Sequence, residues 1–398
     1  MGNKAIDLER IVEKLDITPS MYLNAVDKYR AVSTYLNSNG ILANFYPQGS
    51  FQLGTVVRPY INSRDADYDL DVICELQEAK EITEPYKVKQ VVGIQLQKNE
   101  VYKSILAEEC DRCWTLHYAK VNNDIGFDLD IVPAVHQDEA TIANLIFLGV
   151  PADRAASAIA ITDKLGTTNY RWYHSNPKGY GLWFKSINDR FITISQGEFK
   201  KKLYEANKGL FASVEAIPAE LDRTSLQRVI QILKRHRDIY YTNINKRNLR
   251  PTSAIVTTLA AKISSHAYTY SSLYDLLVFV VEDLNKYSQI FESKPLGYYI
   301  NNETRSYIQK SATKWRIENP VDPKDNYADS WTDETALAFF QWVRAVKRDI
   351  IDSVDSNEFE YYISMKTGLG SDLVENAIPE SKKQPIPNIQ VGTKPWGC

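Results

Sequence analysis

The chain has 398 residues, 44% hydrophobic and 24% charged, an ordinary globular composition with enough material for two or three buried cores. Lysine and arginine total 47 against 50 acidic residues, a formal charge of −3, which argues against a large sequence-independent grip on duplex nucleic acid. Small nucleotides carried with magnesium remain compatible.

No run of about eighteen uncharged apolar residues occurs, and Met1 to Asp7 lacks the basic-then-apolar order of a secretory signal. The four cysteines, Cys74, Cys110, Cys113 and Cys398, are too few and too scattered for a disulfide framework. A soluble, cytoplasmic protein with reduced thiols and no membrane partner is expected.

In chain order, Thr18-Pro19-Ser20 sets up a capped helix start, and Met21, Ala25, Tyr29, Val32 and Leu36 recur at helical spacing until Asn39-Gly40. Short apolar runs follow: Phe45-Tyr46, Asp69 to Leu76, Trp114 to Ala119 and Ile125 to Val132, read as strands of one sheet. A helix over Tyr86 to Glu109 joins the second and third. Beyond about residue 200 the period is helical throughout, with Leu226, Val229, Ile230 and Leu233 on one stripe and Leu337, Phe340, Val343 and Val346 on another. Asn319 to Asn326 is proline-punctuated and reads as loop, and Ser381 to Cys398 as a flexible tail. The expected architecture is α+β: residues 1–200 form a small mixed sheet with a long N-terminal helix, 201–380 a helical domain, and 381–398 the tail.

Asp65-Ala66-Asp67-Tyr68-Asp69-Leu70-Asp71-Val72-Ile73 places an acid at every second position, so in a strand these carboxylates share one face. Like charges so placed raise one another's pKa, and a hard cation such as Mg²⁺ relieves them. Asp65 and Asp67 follow Asn62-Ser63-Arg64 and read as turn residues. Asp69 and Asp71 abut the apolar Val72-Ile73-Cys74 and read as metal ligands, although Asp67 with Asp69 satisfies the same spacing. Phe127-Asp128-Leu129-Asp130-Ile131 repeats the pattern, with Asp128 and Asp130 both eligible as a third ligand. Upstream, Gln48-Gly49-Ser50 follows a short strand and opens a helix, whose free N–H groups suit phosphate.

The order of these elements, Gln48-Gly49-Ser50 with Gly54-Thr55 and Arg58-Pro59, then Tyr68-Asp69-Leu70-Asp71-Val72, then Asp130-Ile131-Val132-Pro133-Ala134, resembles the bacterial cGAS/DncV-like nucleotidyltransferases (CD-NTases) of the polymerase-β-like superfamily. These are relatives of oligoadenylate synthase and cyclic GMP-AMP synthase. The resemblance implies a metal-dependent nucleotidyltransferase that joins nucleoside triphosphates, ATP with GTP, CTP or UTP as further candidates, into a cyclic di- or trinucleotide for antiphage (CBASS) signalling. It implies two ions, Mg²⁺ or Mn²⁺, held by Asp69, Asp71 and Asp130. Gln48, Gly49 and Ser50 would contact the triphosphate, with Lys234 and Ser253 on its outer phosphates, and a downstream effector would bind the product. The alternative is a linear oligonucleotide or RNA-end-extending transferase.

Cys110-Asp111-Arg112-Cys113 with His117 has zinc-like spacing, but no fourth ligand is near and His117 falls in an expected strand, so zinc is set aside. Lys234-Arg235-His236-Arg237, taken without the resemblance, reads as a solvated helix face. The ending Lys394-Pro395-Trp396-Gly397-Cys398 resembles CD-NTase tails conjugated by an E1/E2-like partner, though cysteine and not glycine comes last.

Overall fold

The computed structural model describes residues 2–58, 60–61, 64–65, 68–118, 126–191, 193–194, 223–269, 271–288, 307–311, 314–379 and 382–383. The expected boundary at 200/201, the strand ends Ala119 and Ile125, Asp67, Pro59 and nearly all of the tail lie outside them.

Helix Pro19–Ser38 starts as its sequence dictates: Thr18 Oγ1 accepts the Met21 N–H at 3.2 Å, and proline occupies the first turn. Its stripe of Met21, Ala25, Tyr29, Val32 and Leu36 is buried. Six strands form one mixed sheet: β1 (Ala43–Pro47), β2 (Tyr68–Ala79), β3 (Trp114–Tyr118), β4 (Phe127–His136), β5 (Ile159–Leu165) and β6 (Asn169–Ser175). Their order is β1-β2-β4-β5-β6, with β3 beside the first half of β4. β2 and β4 run parallel and the other pairs antiparallel.

Period-two alternation divides the sheet. Tyr68, Leu70, Val72 and Cys74 of β2, with Phe127, Leu129 and Ile131 of β4, pack on helices Pro19–Ser38 and Pro85–Gln97. The opposite face carries the acids.

The structure departs from the sequence reading in several places. The helix expected over 86–109 is two, Pro85–Gln97 and Glu100–Ile105, because the Asn99 side chain accepts the Val101 and Tyr102 N–H groups and starts a new helix. The β5–β6 hairpin was not foreseen, since Asn169–Ser175 is too polar to declare a strand; Gly166 (φ +69°) lies between the two strands. Asn319 to Asn326 is a two-stranded ribbon, Glu318–Asn319 with Asp322–Asn326, whose turn is held by Asn319 Oδ1 accepting the Val321 N–H at 3.0 Å. Leu337 is 41% exposed, whereas Phe340, Val343 and Val346 are buried.

The second half is otherwise helical: Ser225–Asn243, Ser253–Ser264, Leu273–Ser288, Asp333–Val346 and Glu358–Leu369 build one core. Leu8, Ile11 and Val12 of helix Gly2–Glu13 join that same core, so the chain's first helix packs with its last ones. Helix Ser225–Asn243 links the halves: Gln227, Gln231 and Lys234 donate in turn to the carbonyls of Leu53, Val56 and Thr55 at 2.9, 2.8 and 3.2 Å. Among the described residues no helix is long and apolar enough to cross a membrane.

Gly93 lies where helix Pro85–Gln97 meets Trp114. A Cβ there would stand 2.1 Å from the indole, whose Nε1–H is fixed to Lys89 O at 2.9 Å. Gly93→Ala is therefore expected to destabilise the protein by about 3 kcal/mol or more, read as a lowered urea midpoint.

Candidate active site

The parallel β2–β4 register sets Asp69 opposite Asp128 and Asp71 opposite Asp130. All four lie on one face, so the two candidates left open for the third ligand, Asp128 and Asp130, both reach it, while Asp67 lies outside the described residues. Asp65 belongs instead to a separate ribbon, Arg64–Asp65 with Tyr60–Ile61. From the other side β3 sets His117 opposite Asp128 and Thr115 opposite Asp130. His117 Nδ1 lies 2.7 Å from Asp128 Oδ1, and Thr115 Oγ1 donates to Asp130 Oδ1 at 2.5 Å.

Asp71 is the electrostatic centre. Desolvation first, then the charges of Asp130 and Asp69, push its carboxyl up to about 7, against the opposing pull of Lys234. Among the described residues no three His, Cys, Asp or Glu side chains stand close enough together, as placed, to enclose an ion. Two of the four carboxylates are instead drawn to neighbouring donors, Asp128 to the His117 imidazole and Asp130 to the Thr115 hydroxyl.

Gln48 continues from β1, and its N–H donates to Asp71 O at 2.9 Å. The next residue, Gly49, has φ +63°, and a Cβ there would lie 3.0 Å from Asp71 Oδ2. Glycine is thus required twice, for its backbone and for close approach to the carboxylate. No side chain caps the Gly49–Leu53 helix. Gly49→Ala is expected to cost about 1–2 kcal/mol of stability through the left-handed backbone. By displacing Asp71 it should also lower the turnover of the reaction proposed below about tenfold, seen as a reduced kcat in a pyrophosphate-release assay.

The opposite wall is helix Ser225–Asn243. Lys234, Arg235, His236 and Arg237 are all buried, 1–5% exposed, so the solvated-face reading of this run is corrected. The helix is wrapped on every side, and its charges are paired inward. Lys234 Nζ donates to Thr55 O and Oγ1 at 3.2 and 3.1 Å, and burial first, then Arg237, pulls its pKa down to about 7. Arg237 donates to Asp238 Oδ1 and to Ser253 Oγ, at 2.9 and 3.1 Å. Thr252 caps the Ser253–Ser264 helix, so Ser253 is presented at its first turn.

Between the walls lies a cavity of about 1110 Å³. Gln48, Gly49, Ser50, Asp69, Asp71, Lys234 and Ser253 all line it; Asp130 stands beside Asp71 without lining it. Sequence reading missed Arg237, Arg250, Tyr173 and Arg112. Arg237 lies one turn from Lys234, which was signal enough once the helix is known to be central. Arg112 was hidden by the zinc-like spacing around it. Its guanidinium sits 4.0 Å over the Tyr173 ring, and its Nε donates to Asp163 at 3.0 Å.

The family description "Cyclic GMP-AMP synthase DncV-like, nucleotidyltransferase domain" matches residues 43–131, the segment holding Gly49, Ser50 and the four aspartates. A c-di-GMP synthase from Roseivirga ehrenbergii is 27% identical over 336 residues, 83% of this chain and 73% of that protein. The cyclic dinucleotide synthase CdnG of Bradyrhizobium diazoefficiens is 24% identical over 247 residues, 59% of this chain and 53% of its own length. The solved structure of that CdnG in complex with GTP shares the fold, with a TM-score of 0.63 at 18% identity over 94% of this chain and 98% of that one. Mixed sheet, helical second half and acid-bearing strand pair agree with these likenesses: residues 43–131 match a DncV-like nucleotidyltransferase domain, and the chain as a whole is similar to cyclic dinucleotide synthases.

Proposed function

We propose that this chain joins nucleoside triphosphates into a cyclic di- or trinucleotide with release of pyrophosphate. The observation that carries the reading is the pairing of Asp71 with Asp130 in register, directly beneath Gly49 and across the cavity from Lys234. The names of the relatives, c-di-GMP synthase and cyclic dinucleotide synthase, support the product class. GTP joins ATP as a leading substrate because the CdnG structure holds it.

The donor set suits divalent magnesium or manganese: these are hard carboxylate oxygens, and that of Asp71 is raised to about 7 first by burial and then by its like-charged neighbours, a strain a cation relieves. Asp69, Asp71 and Asp130 would hold two such ions, which when bound polarise the attacking ribose hydroxyl and offset the charge of departing pyrophosphate. Asp130 is preferred to Asp128 because it pairs directly with Asp71 across β2–β4 and its charge raises the Asp71 carboxyl, whereas Asp128 pairs with Asp69 and lines the cavity itself. The chain's own residues do the positioning. Gln48, Gly49 and Ser50 bind the triphosphate from the strand end, and Lys234 and Ser253 steady its outer phosphates from the helical side. The catalytic half would comprise residues 1–200, with helices Gly2–Glu13 and Pro177–Asn188 packed into the core of the helical half, 201–380.

Purified protein incubated with all four NTPs and Mg²⁺ or Mn²⁺, then phosphatase, is expected to yield phosphatase-resistant cyclic product by mass spectrometry. Linear product alone would favour the chain-extending alternative. Equal product from the Asp69→Asn/Asp71→Asn variant would remove the carboxylate assignment. The product is read as a cytoplasmic antiphage (CBASS) signal for a downstream effector, tested by phage plating with and without the double variant. Conjugation of the Trp396-Gly397-Cys398 end by an E1/E2-like partner is tested by intact mass after co-expression, and an unmodified mass counts against it.

A further inference from the structure

We infer that Cys110 and Cys113 form a peroxide-sensitive dithiol that turns the enzyme off by closing a disulfide at the rim of the nucleotide cavity. This rests on the reading of Asp130 as a member of the catalytic set.

Both sulfurs converge on one hydroxyl, Cys110 Sγ at 3.8 Å and Cys113 Sγ at 3.6 Å from Thr115 Oγ1. That same hydroxyl holds Asp130 Oδ1. The turn bearing the pair is fixed from below: the fully buried Lys89 donates through Nζ to the carbonyls of Cys110, Asp111 and Cys113 at 2.8, 3.3 and 3.0 Å. Between the cysteines, Arg112 lines the cavity and stacks on Tyr173. The turn therefore touches the site twice, at a carboxylate partner and at a cationic wall residue. Cys110 is exposed and Cys113 half-buried, whereas Cys74 is sealed in the core. An oxidant reaches the pair and not the third thiol.

The chemistry balances with hydrogen peroxide as oxidant. The Cys110 thiolate attacks one peroxide oxygen, an S–O bond forms as O–O breaks, and the leaving hydroxide takes a proton to become water. Cys113 sulfur then attacks the sulfenic sulfur; S–S forms, S–O breaks, and the second hydroxide leaves with the thiol proton. Two thiols are oxidised, one peroxide is reduced, two waters result, and a dithiol reductant reverses it. An S–S bond of about 2.05 Å would redirect two sulfurs that both now contact Thr115 Oγ1, and with them the hydroxyl that holds Asp130 and the turn that carries Arg112.

The test uses the full chain carrying Cys398→Ser, with a small excess of hydrogen peroxide, differential alkylation with peptide mapping, and pyrophosphate release. A Cys110–Cys113 disulfide is expected, with turnover lowered about tenfold or more and restored by dithiothreitol. Cys110→Ser should keep its turnover through peroxide. In reduced protein Thr115→Val should raise the Mg²⁺ needed for half-maximal rate, and Thr115→Ser should restore it, a readout that a merely structural threonine would not move. Free thiols after peroxide, or a disulfide that leaves turnover unchanged, would overturn the inference. A reduced protein without any turnover would count against the proposed function, and the peptide map would still decide whether the pair closes.

Discussion

Asp71→Asn is expected to lower nucleotidyl transfer about a thousandfold or more while raising the stability of the metal-free protein at neutral pH. The loss follows from its position: a charge that several kcal/mol of transition-state stabilisation depend on is removed from the centre of the cluster. The gain follows from linkage. Below the unfolded carboxyl value, 3.8, Asp71 is protonated in both states and contributes nothing. Between 3.8 and about 7 the folded protein keeps a proton that the unfolded chain releases, so the cost to stability grows with pH and is complete above about 7. Asparagine has no such cost. The variant should melt above wild type, by a margin that widens from pH 5 to pH 7 and then levels. Added Mg²⁺ should raise the melting temperature of wild type and leave the variant nearly unmoved. A variant that keeps turnover within tenfold, or melts below wild type at pH 8, would remove Asp71 from the centre of the site.

Lys234→Met carries the second large effect. Loss of a charged donor to phosphate costs about 1.5–3 kcal/mol, so KM for the triphosphate should rise roughly 10- to 150-fold with a smaller change in kcat. A pH signature separates this from simple damage. Lys234 is lowered to about 7, chiefly by burial, and a bound triphosphate would draw the proton back. Nucleotide affinity measured in EDTA should therefore fall as pH rises from 7 to 9, by up to about tenfold per unit, and the methionine variant should lose that slope. Stability runs the other way. A lysine lowered from 10.5 to about 7 costs the folded state most below pH 7, with the cost fading between 7 and 10.5. The nucleotide-free variant should thus gain most stability on the acid side. A flat affinity profile in wild type would show that Lys234 does not meet the triphosphate.

Much of the sheet was legible because its signals are local. Alternation through Tyr68 to Ile73 and Phe127 to Val132 fixes which residues share a face, and Thr18-Pro19 announces the first long helix. What the sequence could not specify was pairing. Whether Asp71 meets Asp130 or Asp128 depends on a register between strands about sixty residues apart, and only the folded β2–β4 pair resolves it. Burial was illegible for the same reason. Lys234 to Arg237 looks like a surface run until the surrounding helices enclose it, and Cys110 to Cys113 looks like half a metal site until Lys89 and Thr115 stand on either side. The ribbon at Glu318 to Asn326 was misread because asparagine and proline chemistry was taken to forbid strands, when here it shapes their turn.

The rungs from Gln227, Gln231 and Lys234 to the backbone of residues 53–56 have an architectural consequence. Cutting the chain into its two halves would strip two amides and an ammonium of their carbonyl acceptors and open the buried face between the halves to water. The catalytic sheet and the helical half are therefore not modules that recombination could trade between relatives one at a time. These three rungs hold the wall formed by helix Ser225–Asn243 against residues 53–56 at hydrogen-bond length.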